Sequence, residues 1–140
     1  MPKGTIAGTK KVMLHHRHWT PTEANELIPE VGAIVRRLRD ARRRLAAHGF
    51  DSDLARRSER TGGAWPGRER ARASVEVALG FERLERLDIV VRDLERGLVD
   101  FPALINGEEV YLCWLLDEPA VHHWHAVEAG FAGRRRLGSL

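Results

Sequence analysis

The stretch LVDFPALINGEEVYLCWL, residues 98–115, decides how this chain folds. Its centre, Asn106-Gly107, is the strongest short-range hairpin signal, because a two-residue type I′ turn needs positive φ at both central positions. Leu98 to Leu104 and Glu108 to Leu115 flank that turn as β-rich runs. With Ile105 facing Glu108 across the loop, Ala103 faces Val110, Phe101 faces Leu112, Val99 faces Trp114 and Asp100 faces Cys113. One face then carries Val99, Phe101, Ala103, Val110, Leu112 and Trp114, all apolar and suited to pack on helices. The other carries Asp100, Pro102, Tyr111 and Cys113, with Leu98 and Leu115 at one end.

Working outward toward the C-terminus, Asp117-Glu118-Pro119-Ala120 reads as a loop and Val121 to His125 as a returning third strand. Trp124, the largest apolar group on it, belongs on the core face beside Leu112, which places His123 opposite Cys113 and His125 opposite Tyr111. Asp100, Tyr111, Cys113, His123 and His125 then converge on the polar face. Carboxylate, thiolate and imidazole are the ligands of zinc and other borderline transition metals, and the same groups serve as general acids and bases. Asp100, Cys113 and His125, with Glu128 as a fourth, are the candidate metal ligands. A competing geometry makes the segment after Pro119 helical, so that His122, His125 and Glu128 share one face at steps of three. His15-His16-Arg17-His18, near the N-terminus, reads as flexible surface rather than as a metal site.

Toward the N-terminus, Ile89-Val90-Val91 reads as a short strand turning through Glu95-Arg96-Gly97. Before it the period lengthens to that of helices. Thr20-Pro21-Thr22-Glu23 combines a capping hydroxyl, Pro at the first helical position and Glu three residues after the cap. Leu27, Val31, Ile34, Leu38, Ala41 and Leu45 follow as one stripe lasting until His48-Gly49, with Pro29 predicting a kink or a short separate helix ahead of the main one. Residues 50–67 read as a variable loop. From about Arg68 a second helix presents Ala73, Val77, Phe81, Leu84 and Leu87. The fold class is therefore α+β: an antiparallel helical hairpin over about 20–87, then a small antiparallel β-meander over about 89–126. Residues 1–18 form a partly flexible extension, 19–134 one domain, and 135–140 a basic tail. The long stripes predict a coiled-coil-like homo-dimer through the hairpin.

Composition sets the outer limits. A chain of 140 residues, 43% hydrophobic and 31% charged, fits a soluble globular protein. One cysteine permits no internal disulfide, and the first residues offer no signal peptide or membrane span, so the expected location is cytoplasmic. The net charge of +3 is uneven: residues 34–72 hold twelve arginines against five acids. Arg36, Arg37, Arg39, Arg42, Arg43 and Arg44 give a basic helix face, which reads either as solvated surface or as a nucleic-acid contact. The motifs GxxxxGK[ST], GxSxG, HExxH and GxGxxG are all missing, so no reaction is assigned.

TPTEANELIPEV, ERGLVDFPALINGEEVYLCWLLDEPAV and WHAVEAGFAGR together resemble a bacterial family known only as domain of unknown function 2203, over about residues 19–134. Gly97, Asp100, Phe101, Pro102, Cys113, Trp114, Glu118, Pro119, Trp124, His125, Gly130 and Arg134 fall on the family-like pattern, and Glu128 stands where an acid is expected. His122, His123 and the N-terminal histidines do not. The resemblance implies no activity. The leading expectation is an interaction or ligand-binding protein that self-associates and meets a small molecule or protein partner through Tyr111, Trp114, Glu118, His123 and Arg134. The alternatives are a metal-binding protein or metal-dependent enzyme using Asp100, Cys113 and His125 with zinc or another transition-metal ion, and nucleic-acid binding through the arginines.

Overall fold

In the computed structural model of the chain, residues 12–49 and 65–139 are described. Among the described residues two helices, α1 (Pro21–Gly49) and α2 (Trp65–Arg86), precede a five-stranded antiparallel sheet in the order β1-β2-β3-β4-β5. Its strands are β1 (Val90–Asp93), β2 (Leu98–Ile105), β3 (Glu108–Leu115), β4 (His123–Ala126) and β5 (Arg135–Arg136). This is the α+β arrangement of a helical hairpin and a C-terminal meander. The segment after Pro119 enters β4, so the helical alternative with His122, His125 and Glu128 on one face does not form.

Helix α1 begins where its capping box predicts: Thr20 N donates to Glu23 Oε1 (2.9 Å) and Glu23 N to Thr20 Oγ1 (3.1 Å). It runs through Pro29 as one helix, so of the two expectations the short separate helix does not form. Proline inside a helix costs about 3 kcal/mol, and the fully buried Ala24, Val31, Val35 and Leu38 on either side offset it by packing. The buried stripe passes through Val35 more deeply than through Ile34, which stays half-buried. Helix α2 starts at Trp65, a few residues before the expected Arg68, since Pro66 lies in the first turn where a missing N–H breaks no helical bond. Most of the expected 50–67 loop lies outside the described residues.

On α2 the residue that faces α1 is Gly80, not Phe81, which is 38% exposed. A Cβ on Gly80 would come within 2.6 Å of Leu38 Cδ2, so the glycine is a notch that lets the helices approach. Helix α2 ends in a Schellman pattern, with Ile89 N donating to Leu84 O and Asp88 N to Glu85 O. The left-handed position that usually takes glycine is here Asp88, φ 60°.

The hairpin has the register that its turn requires. Asn106 and Gly107 have φ of 52° and 81°, and Ile105 pairs with Glu108, Phe101 with Leu112, and Asp100 with Cys113. Strand β4 places Trp124 opposite Leu112, His123 opposite Cys113 and His125 opposite Tyr111. The apolar face, with Val99, Phe101, Leu112 and Trp114, joins Val31, Val35, Leu38 and Leu84 of the helices in one core. Burying each such side chain contributes about 1.5–3 kcal/mol. Part of the expected basic tail, Arg135–Arg136, becomes the short edge strand β5 against His123 and Trp124.

Candidate metal centre

The second face of the sheet is also buried. Asp100 (0% exposed), Cys113 (0%) and His125 (2%) stand on β2, β3 and β4, and one ligand atom from each lies within 4.8 Å of the others. Alternation puts Asp100 and Cys113 on this face as a directly opposed pair. His125 stands one pair further along, so its ring crosses diagonally beside Tyr111, with ring centroids 5.5 Å apart.

His125 Nε2 meets Asp100 Oδ2 at 2.9 Å, and its Nδ1 donates to the backbone carbonyl of Ala126 at 2.8 Å. A carbonyl only accepts, so Nδ1 carries a proton and Nε2 is the atom turned into the cluster. Burial pulls the His125 pKa down, but the hydrogen bonds to Asp100 and Ala126 outweigh it and the net shift is upward. Asp100 Oδ2 also accepts from Arg92 Nε at 2.7 Å, while Oδ1 is buried without a hydrogen-bond partner. Burial, then the Asp100 charge, pushes the Cys113 thiol up to about 12. Such a thiol is protonated in the neutral range and is no resting nucleophile; thiolate there requires a cation to stabilise it.

Arg92 is the member of this buried group that the sequence does not reveal. It sits at a β-bulge, where the β1–β2 register jumps between Val91 and Asp93. Bulges re-aim side chains, and this one sends the guanidinium to Asp100 and over the Tyr111 ring, 4.6 Å from its centroid. Its pKa is raised, the Asp100 bond overcoming the opposing effect of burial.

Residues 14–19, most of them in the extension expected to be partly flexible, close one end of this face. Trp19 N donates to Pro102 O at 2.6 Å, and its indole Nε1 to Leu87 O at 3.0 Å. Asp88 accepts from the backbone N–H of His16 (3.0 Å) and Arg17 (3.1 Å) and meets His15 Nδ1 at 3.0 Å. His15 Nε2 lies 2.6 Å from the Tyr111 hydroxyl. Glu109 accepts from the Leu14 and His15 backbones and meets His18 Nε2 at 2.8 Å. Burial raises the pKa values of Asp88 and Glu109, but these hydrogen bonds win and both are lowered. His15 and His18 are thus tied to carboxylates as parts of a strap.

The other candidates separate. Glu128 is exposed in the turn after β4 and is not in the three-residue cluster. His123 belongs to a second group: its Nδ1 accepts from Arg134 Nη2 (2.7 Å), which also donates to Glu118 Oε2 (3.0 Å). Burial and the Arg134 cation lower the His123 pKa. Trp114 is core, its indole donating to Glu118 O at 2.9 Å, and Tyr111 is 3% exposed. The expected ligand surface of Tyr111, Trp114, Glu118, His123 and Arg134 is therefore divided between buried packing and an internal ion pair. Of the arginine face, Arg36 pairs with Asp117, Arg43 with Glu95, and Arg44 with Glu69 and Glu76, while Arg39 reaches the Glu95 carbonyl. Those cations are engaged by the protein itself. Among the described residues, no helix is long and apolar enough to cross a membrane.

No curated protein and no solved structure matches the chain. A family model described as an uncharacterized conserved protein, DUF2203, matches residues 17–137, a span that contains both helices, the whole sheet and all three residues of the buried cluster. The chain belongs to the DUF2203 family.

Proposed function

We propose that this protein binds one transition-metal ion, with zinc the first candidate, through Asp100 carboxylate, Cys113 thiolate and His125 Nε2. The observation that carries the reading is the meeting of these three side chains, all 2% exposed or less, within 4.8 Å. An oxygen, a sulfur and a nitrogen donor form a set suited to zinc and its borderline neighbours. Two details support it. The Nδ1 bond to Ala126 is the outer contact that orients a ligating imidazole, and Asp100 keeps a buried oxygen, Oδ1, with no partner.

Arg92 supplies the balancing logic. A buried carboxylate needs a positive neighbour, and Arg92 now provides one. One thiolate and one carboxylate neutralise a divalent ion, so metal and Arg92 serve the same carboxylate. With 41% of its side chain exposed, Arg92 has room to withdraw toward solvent. Three protein donors leave one tetrahedral position for water or an added ligand.

Elemental analysis of tag-free protein tests the proposal. One equivalent of metal is expected in the native chain and in His16→Ala, and a large loss in His125→Ala and Cys113→Ser. Equal metal content in native protein and His125→Ala would sink it.

A further inference from the structure

We infer that the groove between α1 and α2 seats a second copy of this chain, groove against groove, in a two-fold four-helix bundle. The inference shares no residue with the metal reading and stands or falls without it.

The groove has a volume of about 480 Å³ and is lined by helix residues alone. On α1 the lining residues are Glu30, Ala33, Ile34 and Arg37; on α2 they are Glu76, Leu79, Gly80 and Arg83. Both sets have the spacing i, i+3, i+4, i+7, which is one face of a helix. Both begin with an acid and end with a base, with apolar or small residues between. Because the helices are antiparallel, Glu30 meets Arg83 at one end, 2.6 Å apart, and Arg37 and Glu76, the latter also bonded to Arg44 at 2.9 Å, mark the other.

The four charges therefore form a square with like signs on the diagonals. An isologous interface requires a patch that complements itself. Turned face to face about a two-fold parallel to the helices, Glu30 of one copy meets Arg83 of the other; about a two-fold across them, it meets Arg37. Either arrangement pairs acid with base. A nucleic acid or an acidic surface would instead find as many repelling charges as attracting ones.

Exposed ion pairs contribute little affinity, so apolar burial must supply it. Leu79 is 60% exposed and Val75, one turn earlier on the same stripe, is 56% exposed. Leu79 lines the groove beside Gly80, and Val75 extends its ridge one turn beyond the lining residues, the pattern with which helix pairs interlock.

Light scattering on the full tag-free chain, over a concentration series, reads the outcome. The expected result is a mass approaching twice the 15.8 kDa of one chain, returning to one chain in Leu79→Glu and in Val75→Glu with the circular dichroism unchanged. Having two variants guards against one that fails to fold. A native chain that stays monomeric at every concentration overturns the inference, as does a dimer that both variants leave intact.

Discussion

Val99, Phe101, Leu112 and Trp114 on one face of the sheet, and Asp100, Tyr111, Cys113 and His125 on the other, are all 3% exposed or less. Their burial has opposite consequences. The first four lose water contact at a gain of about 1.5–3 kcal/mol each. Desolvating charged groups costs several kcal/mol per ion, repaid only by close partners, and apolar replacements of such clusters are often neutral or better. Equal burial thus separates a face that stabilises the fold from one whose composition stability does not explain. The proposed metal site gives that second face its reason.

Mutations that treat the two faces alike should break the comparison most sharply. Phe101→Ala should cost about 3–5 kcal/mol through lost burial and a cavity, and Asp100→Ala should cost about 3 kcal/mol by leaving Arg92 and His125 without their carboxylate. Denaturant titration checks both. The faces should diverge when a whole group is replaced: Arg92→Met, Asp100→Leu and His125→Leu together should be neutral or stabilising by about 1–4 kcal/mol, with metal binding gone. A triple variant as unstable as Asp100→Ala would show that the polar cluster holds the fold together.

Smaller effects belong to the strap. Asp88 and Glu109 have lowered pKa values, so their contribution is present above the ordinary carboxylate range and is lost as pH falls through the lowered values. Hydrogen-exchange protection at the His16 and Arg17 amides, relative to the intrinsic rate at each pH, should fall there before that of the sheet. Asp88→Gly should produce the same local opening at neutral pH, with little global loss because glycine relieves the left-handed backbone at φ 60°. The smallest effect should be Glu95→Gln: its pair with Arg43 is more than half exposed on both sides, and the change should stay within about 0.5 kcal/mol.

What sequence reading could reach follows from how local each signal is. Asn106-Gly107 dictates a turn by its own backbone chemistry, and a period of two carries the register from Ile105–Glu108 through to Asp100–Cys113. Trp124 then sets β4, because only one register buries it with Leu112. Asp100, Cys113 and His125 were legible as neighbours for that reason. Arg92 was not, because nothing in VVRD marks the bulge that turns it toward Asp100. The continuity of α1 through Pro29 escaped because packing outweighs a local preference there. Residues 14–18 read as a polar extension since their partners, Asp88 and Glu109, lie more than seventy positions away in the chain. Phe81 falls on the α2 stripe by helical spacing with Ala73 and Val77, whereas closeness to Leu38 demands Gly80 at that level.

Titration of metal-stripped protein with Co²⁺ reads the proposed Asp100–Cys113–His125 site itself, since a cobalt–thiolate bond produces a charge-transfer absorption that histidine or carboxylate ligation alone does not. This band should saturate at one equivalent, disappear in Cys113→Ser and persist in His16→Ala. Saturating binding without the band, or a band unchanged in His125→Ala, would contradict the proposed site.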